Sequence, residues 1–498
     1  MDSVYKPSRS MMRNPARVRA LSLAVLLLMA LALRLWNVGA ESAWLDEAYS
    51  LSLARFSPWE IIRGTAADQH PPLYYLLLHL WLLIGSGVAF ARLLSVGLGV
   101  FHIWQTVALG EDLGGTQIGL LAGLLLAISP MHIWYSQEIR MYILLAVLAT
   151  AATHELWRIL NGRGHWMFYT LYTILSLYTH NFAAFVLLAH AIWIAVWYGK
   201  HGERQVPIRW MGSILLLAVF YAPWVPVLIE QTRFHTMGWI AAPGISDLRD
   251  IPLRLILGSA VLALPGFIRW ALLLGAVVVL AWPFFIFRTA GKRLPLGFVA
   301  ACAALPLLAI ALISLFYPIF QFKQFLVVLA PLLIWVAWSL LGTPRLIAIP
   351  AALLLIFSTG ASTIYQQTTF SKDDWRSVSA YLQEQVQPGD VIYGNPAAIR
   401  LGVEAYHPVP APALGYPPDY HILTGGWTGG EIVTAKIAER EMTQSVQGAR
   451  RLWLVEFHPE LWDPGREIER WLENHASLQA DTSFGNIRLR LYQLEASQ

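Results

Sequence analysis

Apolar residues run along this chain in blocks of about 20, the length a helix needs to cross a bilayer, separated by short polar breaks. Such blocks fall at 18–38, 90–109, 116–134, 138–158, 165–180, 182–199, 208–229, 267–288, 295–316, 323–341 and 344–361. They predict an α-helical polytopic membrane protein of about eleven spans. The run Leu73–Ile84 is different: it is short, follows Pro71-Pro72 and is broken by His79. It reads as a helix lying in the outer interface, within one long external loop over 39–89. Inside that loop, Ser57-Pro58-Trp59-Glu60 has the Ser and Glu of a capping box, with proline at the first helical position. A second external loop covers about 230–266, and its end, Ile251–Leu264, also suits the membrane surface.

The basic residues set the orientation. With the interfacial run left out of the count, Lys6, Arg9, Arg13, Arg17 and Arg19 precede the first span. Arg158, Arg163, Lys200, Arg204, Arg209, Lys292, Arg293 and Arg345 then fall in alternate loops on the same side. Positive charge marks the cytoplasmic side, so the N-terminus is expected inside and the C-terminal segment outside a bacterial-type inner membrane. Only the loop with Glu111 and Asp112 lacks a base. The first basic and apolar stretch imitates a secretory signal, but the many later spans favour a retained anchor.

After 361 the pattern changes, dividing the chain into a membrane domain, 1–361, and an extracytoplasmic α/β domain, 362–498. In the latter, Asp374–Val386 and Glu467–Asn474 read as helices, and Val391–Gly394 and Arg451–Phe457 as strands. Ile487–Leu494 alternates as an edge strand would, and Pro408–Gly430 is a long loop.

Composition supports the membrane reading. Of 498 residues, 56% are hydrophobic and 13% charged, where soluble chains carry about 25% charged residues. The net charge of +4 is small and spread through the loops, which argues against a nucleic-acid partner. The one cysteine, Cys302, lies in an apolar run and supplies neither a disulfide nor a thiolate metal site.

Ionisable groups at the outer ends of spans are costly and so are candidates for function. Four clusters share that side: Trp44-Leu45-Asp46-Glu47-Ala48-Tyr49, Asp68-Gln69-His70-Pro71-Pro72-Leu73-Tyr74-Tyr75, Ser129–Tyr142, and Tyr178-Thr179-His180-Asn181-Phe182. Asp46 and Glu47 start a short helix whose dipole favours their ionised form, and such a carboxylate can act as a general base. An ordinary helix-start acid pair reads the same way. His70 suits a phosphate, a metal or a helix cap. Glu138 and Arg140 are two apart and do not face each other on a helix, so each needs another partner, which Asp46 or a substrate phosphate could supply. Lys323, near the outer end of a late span, fits a phosphate or simple snorkelling.

In this order the clusters resemble those of polytopic glycosyltransferases of the C-type fold. The likeness lies nearest the dolichyl-phosphate-mannose protein mannosyltransferase type (family thirty-nine) and its bacterial relatives, which include the lipid A aminoarabinose transferases. It rests on WLDEAYSLSLA, HPPLYYLLLHLW, SPMHIWYSQEIRMYILLAVLA and LYTHNFAAF and covers roughly residues 18–345. The resemblance implies a transferase that takes a sugar from a polyprenyl-phosphate donor and passes it, with inversion, to an acceptor hydroxyl on a lipid, glycan or protein. It places Asp46 as general base with Glu47 as its supporting acid, and Glu138 with them in the catalytic set. His70, Arg140, Tyr142, His180 and Lys323 would then bind substrate. Asn181 stands where an aromatic is usual, and Lys323-Gln324 where relatives have Arg-Tyr. No cofactor is implied with certainty. Asp46, Glu47, Glu138, His70 and His180 are ligand types that suit a divalent cation, and the family also has metal-independent members. Two other classes fit lipid-linked sugars: a transporter or flippase, which favours sites near the bilayer midplane and internal repeats, and a polysaccharide ligase or polymerase. No repeat is visible, and the polar clusters lie at one surface.

Overall fold

The computed structural model describes residues 15–234, 242–286, 290–317, 319–369, 371–418, 420–424 and 431–495. The bases Lys6, Arg9 and Arg13 lie outside these residues, as do parts of the 230–266 and 408–430 loops. Helices stand where the apolar blocks predict them. Among the described residues, eight are long and apolar enough to cross a membrane: Pro15–Leu35, Val88–Gly114, Tyr142–Leu160, Ala183–His201, Gln205–Arg233, Arg293–Ser314, Phe322–Gly342 and Arg345–Thr369. The chain is a multi-pass membrane protein.

The blocks at 116–134, 165–180 and 267–288 are also helical, as Thr116–Ala127, Trp166–Thr179 and Gly266–Ile286. The first two have 12 and 14 residues, fewer than the length expected of them. Thr116–Ala127 stops because Pro130 disfavours helix in the residue before it. Ser129 then caps a new six-residue helix, Pro130–Tyr135, its hydroxyl accepting from the His132 amide. Thr116–Ala127 packs closely on Val88–Gly114 through glycines: a Cβ on Gly119 would collide with the Val107 carbonyl oxygen. Small residues at such a contact let two membrane helices approach backbone to backbone.

The loop that lacks a base is neutralised from elsewhere. Arg19 grips Glu111 at 2.5 and 2.6 Å, while His154 and Arg163 pair with Asp112 at 2.9 and 3.4 Å. At the other end of the bundle, residues 39–89 form three short helices, Leu45–Leu53, Pro58–Ala67 and Leu73–Leu82. The Ser57 capping box forms as its sequence predicts. The ten residues of Leu73–Leu82 are too few to span.

Past the membrane helices, Arg345–Thr369 runs beyond the expected boundary at 361 before the α/β domain begins. Its sheet contains β1 (Asp390–Asn395), β2 (Ala413–Gly415), β3 (Arg451–Phe457), β4 (Ala476–Phe484) and β5 (Ile487–Leu494), in the order β2-β1-β3-β5-β4. The first three are parallel, whereas β5 runs antiparallel to both β3 and β4. The expected edge strand, β5, is therefore interior. Its outer neighbour β4 is mostly exposed and polar along Ser477, Gln479 and Asp481, so it leaves little hydrophobic trace in the sequence. One continuous core joins the two domains, with Trp375, Val378 and Leu382 packed in the same buried cluster as Leu45, Ala48 and Leu51.

Candidate active site

Trp44 is extended and Leu45 opens the helix that carries both acids in its first turn. Leu45, Glu47 and Ala48 point into the core, leaving Asp46 one-third exposed. The Asp46 carboxylate faces two cations, Arg140 Nη2 at 3.6 Å and Lys323 Nζ at 3.8 Å. Both separations exceed a hydrogen bond, so Asp46 feels positive charge without being locked to it. Arg140 is held from behind, where Nη1 donates to the Asp46 carbonyl, Ser50 Oγ and Tyr75 Oη at 3.3–3.5 Å. Lys323 lies over the rings of Trp44 and Tyr142, 5.6 and 5.3 Å from their centres, an arrangement that attracts a cation to each ring face.

His70 and His180 close the group. Their rings meet edge to face at 5.4 Å, and Tyr142 lies 6.0 Å from His180. His70 Nδ1 reaches Asp68 Oδ2 at 3.2 Å. His180 Nδ1 accepts from the Phe182 amide at 3.1 Å, which leaves its Nε2 to carry the proton. Burial lowers the pKa of both imidazoles, with Asp68 opposing it at His70 and with His70, Lys323 and Arg140 adding to it at His180. Six of the residues singled out from sequence, Asp46, His70, Arg140, Tyr142, His180 and Lys323, thus converge at one end of the bundle. Arg140 finds its partner in Asp46, as the spacing argument allowed.

The other two, Glu47 and Glu138, sit in an adjoining sealed compartment with side chains 0% and 3% exposed. Arg92 donates to both Glu47 oxygens, at 2.9 and 2.8 Å. The Ile139 amide and Lys372 Nζ add bonds of 3.0 Å each. Burial pushes the Glu47 carboxyl up, but Lys372 and Arg92 more than reverse this, lowering it to about 2. Glu138 pairs with Lys372 at 3.7 Å and has one buried oxygen, Oε2, without a hydrogen bond. Its carboxyl is raised by burial, against the pull of Lys372.

Sequence reasoning missed Arg92 and Lys372. Arg92 gave a signal, since a charge inside an apolar block must be paired or used. Lys372 gave none, because it follows the last membrane helix in a segment without a motif. No group of three or more His, Cys, Asp or Glu is arranged to hold a metal among the described residues. The space facing Asp46 is instead shared by Arg140 and Lys323.

Solved structures share this architecture. ArnT from Cupriavidus metallidurans bound to undecaprenyl phosphate aligns at 12% identity and a TM-score of 0.61, over 96% of this chain and 98% of that one. The chain has the C-type glycosyltransferase fold. The same C-type architecture extends to the archaeal oligosaccharyltransferase AglB from Archaeoglobus fulgidus in complex with an inhibitory peptide and a dolichol-phosphate. That alignment has 12% identity and a TM-score of 0.55, over 95% of this chain and 74% of that one. No family model matches the sequence, and no curated protein does. At such low identity the C-type glycosyltransferase fold is legible only in three dimensions and in the four short motifs.

Proposed function

We propose that this chain transfers a sugar from a polyprenyl-phosphate donor to an acceptor hydroxyl, with Asp46 as general base. The observation that carries the reading is a partly exposed carboxylate facing two cations that it does not bind tightly, in a fold shared with a protein seen bound to undecaprenyl phosphate. The acceptor hydroxyl gives its proton to Asp46 as its oxygen forms a bond to the anomeric carbon. The bond from that carbon to the phosphate oxygen breaks on the opposite face, so the configuration inverts. The departing lipid phosphate gains negative charge. Arg140 and Lys323 lie where fixed positive charge stabilises that gain, and His70 lies beside them to hold a phosphate oxygen.

With these side chains supplying the charge, no divalent ion is needed for the step, and prolonged chelation is expected to leave the transfer rate unchanged. Glu47 and Glu138, sealed from substrate, act through the position of Asp46. We assign the reaction to the extracytoplasmic side of the inner membrane because basic residues mark the cytoplasmic side, and Arg19 and Arg163 pair with Glu111 and Asp112 at the far end of the helix that begins at Val88, beside the Asp46 loop. A cysteine placed at exposed Ser477 should react with an impermeant maleimide in intact spheroplasts, and Cys302 is buried and gives little background. Protection of that cysteine until lysis would reverse the orientation.

The deciding assay supplies membranes containing the chain with a panel of radiolabelled polyprenyl-phosphate sugars. Label should pass from at least one donor into an acceptor fraction. Failure with every donor, with the protein present and folded, would remove the proposal.

A further inference from the structure

The C-terminal domain contributes to the acid site itself. Resting on the transferase reading above, we propose that Lys372, at the entry to that domain, is a positioning residue for Asp46.

Lys372 follows the last membrane helix and precedes the first helix of the domain, Trp375–Gln385. Its side chain is 8% exposed. Burying an ammonium group is strongly unfavourable unless it is paired. Here Glu47 lies 3.0 Å away, Glu138 lies 3.7 Å away, and the Trp134 ring centre is at 5.3 Å. The compartment therefore holds two carboxylates and two cations, Arg92 and Lys372, and is balanced only when the domain is docked.

The same domain grips the chain on the other side of Asp46. The Lys372 amide donates to Glu41 Oε2 at 3.1 Å. Arg376 donates to the carbonyls of Gly39, Ala40 and Glu41 at 2.9–3.3 Å. Tyr406 Oη accepts from the Ala43 amide at 2.6 Å. Residues 39–43 and Glu47 are thus fixed from the C-terminal domain, and Asp46 is held between the two anchors. A general base must lie within hydrogen-bond reach of the proton it takes, and a misplacement of about 1 Å can cost on the order of 100-fold in rate.

The test uses the purified full-length chain and measures kcat and donor KM. Lys372→Met keeps the length of the side chain and removes its charge. It is expected to lower kcat by about 10- to 100-fold and to leave donor KM and undecaprenyl phosphate binding within about threefold of wild type. Glu138→Gln combined with Lys372→Met restores the charge balance and should regain most of that loss, as should Lys372→Arg, which keeps the cation. Wild-type turnover in Lys372→Met overturns the inference and leaves the transferase reading standing. So does a double variant no better than the single one. Should Lys372→Met not fold, Tyr406→Phe removes only the hydroxyl that receives the Ala43 amide. A drop in kcat of about three- to tenfold at unchanged KM is then expected, and unchanged kcat overturns the proposal. Absence of transfer by the wild-type chain itself would instead remove the functional reading beneath it.

Discussion

Asp46 and Glu47 are consecutive residues in one helical turn with opposite fates. Glu47 is sealed, bound through both oxygens by Arg92 and touched by Lys372 and the Ile139 amide. Asp46 is one-third exposed, and its two cations stop short of hydrogen-bonding distance. A helix turns about 100° per residue, so adjacent side chains enter different compartments, here the core and the cleft. A tightly paired carboxylate has spent its acceptor capacity on structure. One that feels charge yet keeps its lone pairs free can take a proton. Substitutions at the two positions should therefore separate activity from stability.

The largest effect is expected at Asp46. Asp46→Asn removes the base and keeps the shape, so kcat should fall by about 10²–10⁴-fold. Its thermal unfolding should match wild type within about 1 kcal/mol, because long, part-exposed ion pairs contribute little. Substantial turnover by this variant in the labelled-donor assay would assign the base elsewhere.

Glu47→Gln should do the reverse. Breaking a buried ion pair from one side costs about 3–5 kcal/mol because the remaining charge stays buried, and here both Arg92 and Lys372 lose their principal anion. A large drop in unfolding temperature in detergent is expected, with a loss of kcat in the folded fraction smaller than that of Asp46→Asn, because Asp46 keeps its carboxylate and loses only one of its anchors. If Glu47→Gln unfolds with wild type, the clamp is not structural.

Lys323→Met sharpens the description of the cleft. A charged hydrogen bond to phosphate is worth about 1.5–3 kcal/mol, so donor KM should rise by roughly 10- to 100-fold. Lys323→Arg, which keeps the cation, should lose less. Unchanged KM in Lys323→Met would take Lys323 off the phosphate.

Much of this contrast was legible in the sequence, and the limit has a physical cause. Hydrophobic period and length placed the helices, the Ser57 capping box and the short Leu73–Leu82 helix, because these depend on neighbours within a turn or two. The four polar clusters could be assigned to one surface by counting spans. Which of two adjacent acids is exposed could not be read, since it depends on Arg92 and on Lys372, 325 residues beyond Glu47. The interior place of β5 was hidden for a related reason. Its outer neighbour is polar and exposed, so only pairing in space reveals it.

The finest test of the contrast uses pH, and its sign follows from the depressed Glu47 carboxyl. In the folded chain it titrates at about 2 against an ordinary 4.5, so between those values the unfolded chain binds more protons. Stability from the clamp is then fully present above about pH 4.5 and is lost as pH falls towards about 2. The difference in unfolding temperature between the wild-type chain and Glu47→Gln should stay constant from about pH 8 to 5.5 and narrow only below about 4.5. The comparison is best made with Glu138→Gln added to both chains, because burial raises the Glu138 carboxyl and would add its own titration in the same compartment. His70 and His180, also shifted by burial, are present in both chains and cancel in the difference. A gap that instead widens as pH falls from about 7 to 5.5 would mean that Glu47 holds its proton in the folded chain. The tight pairing that distinguishes it from Asp46 would then be absent.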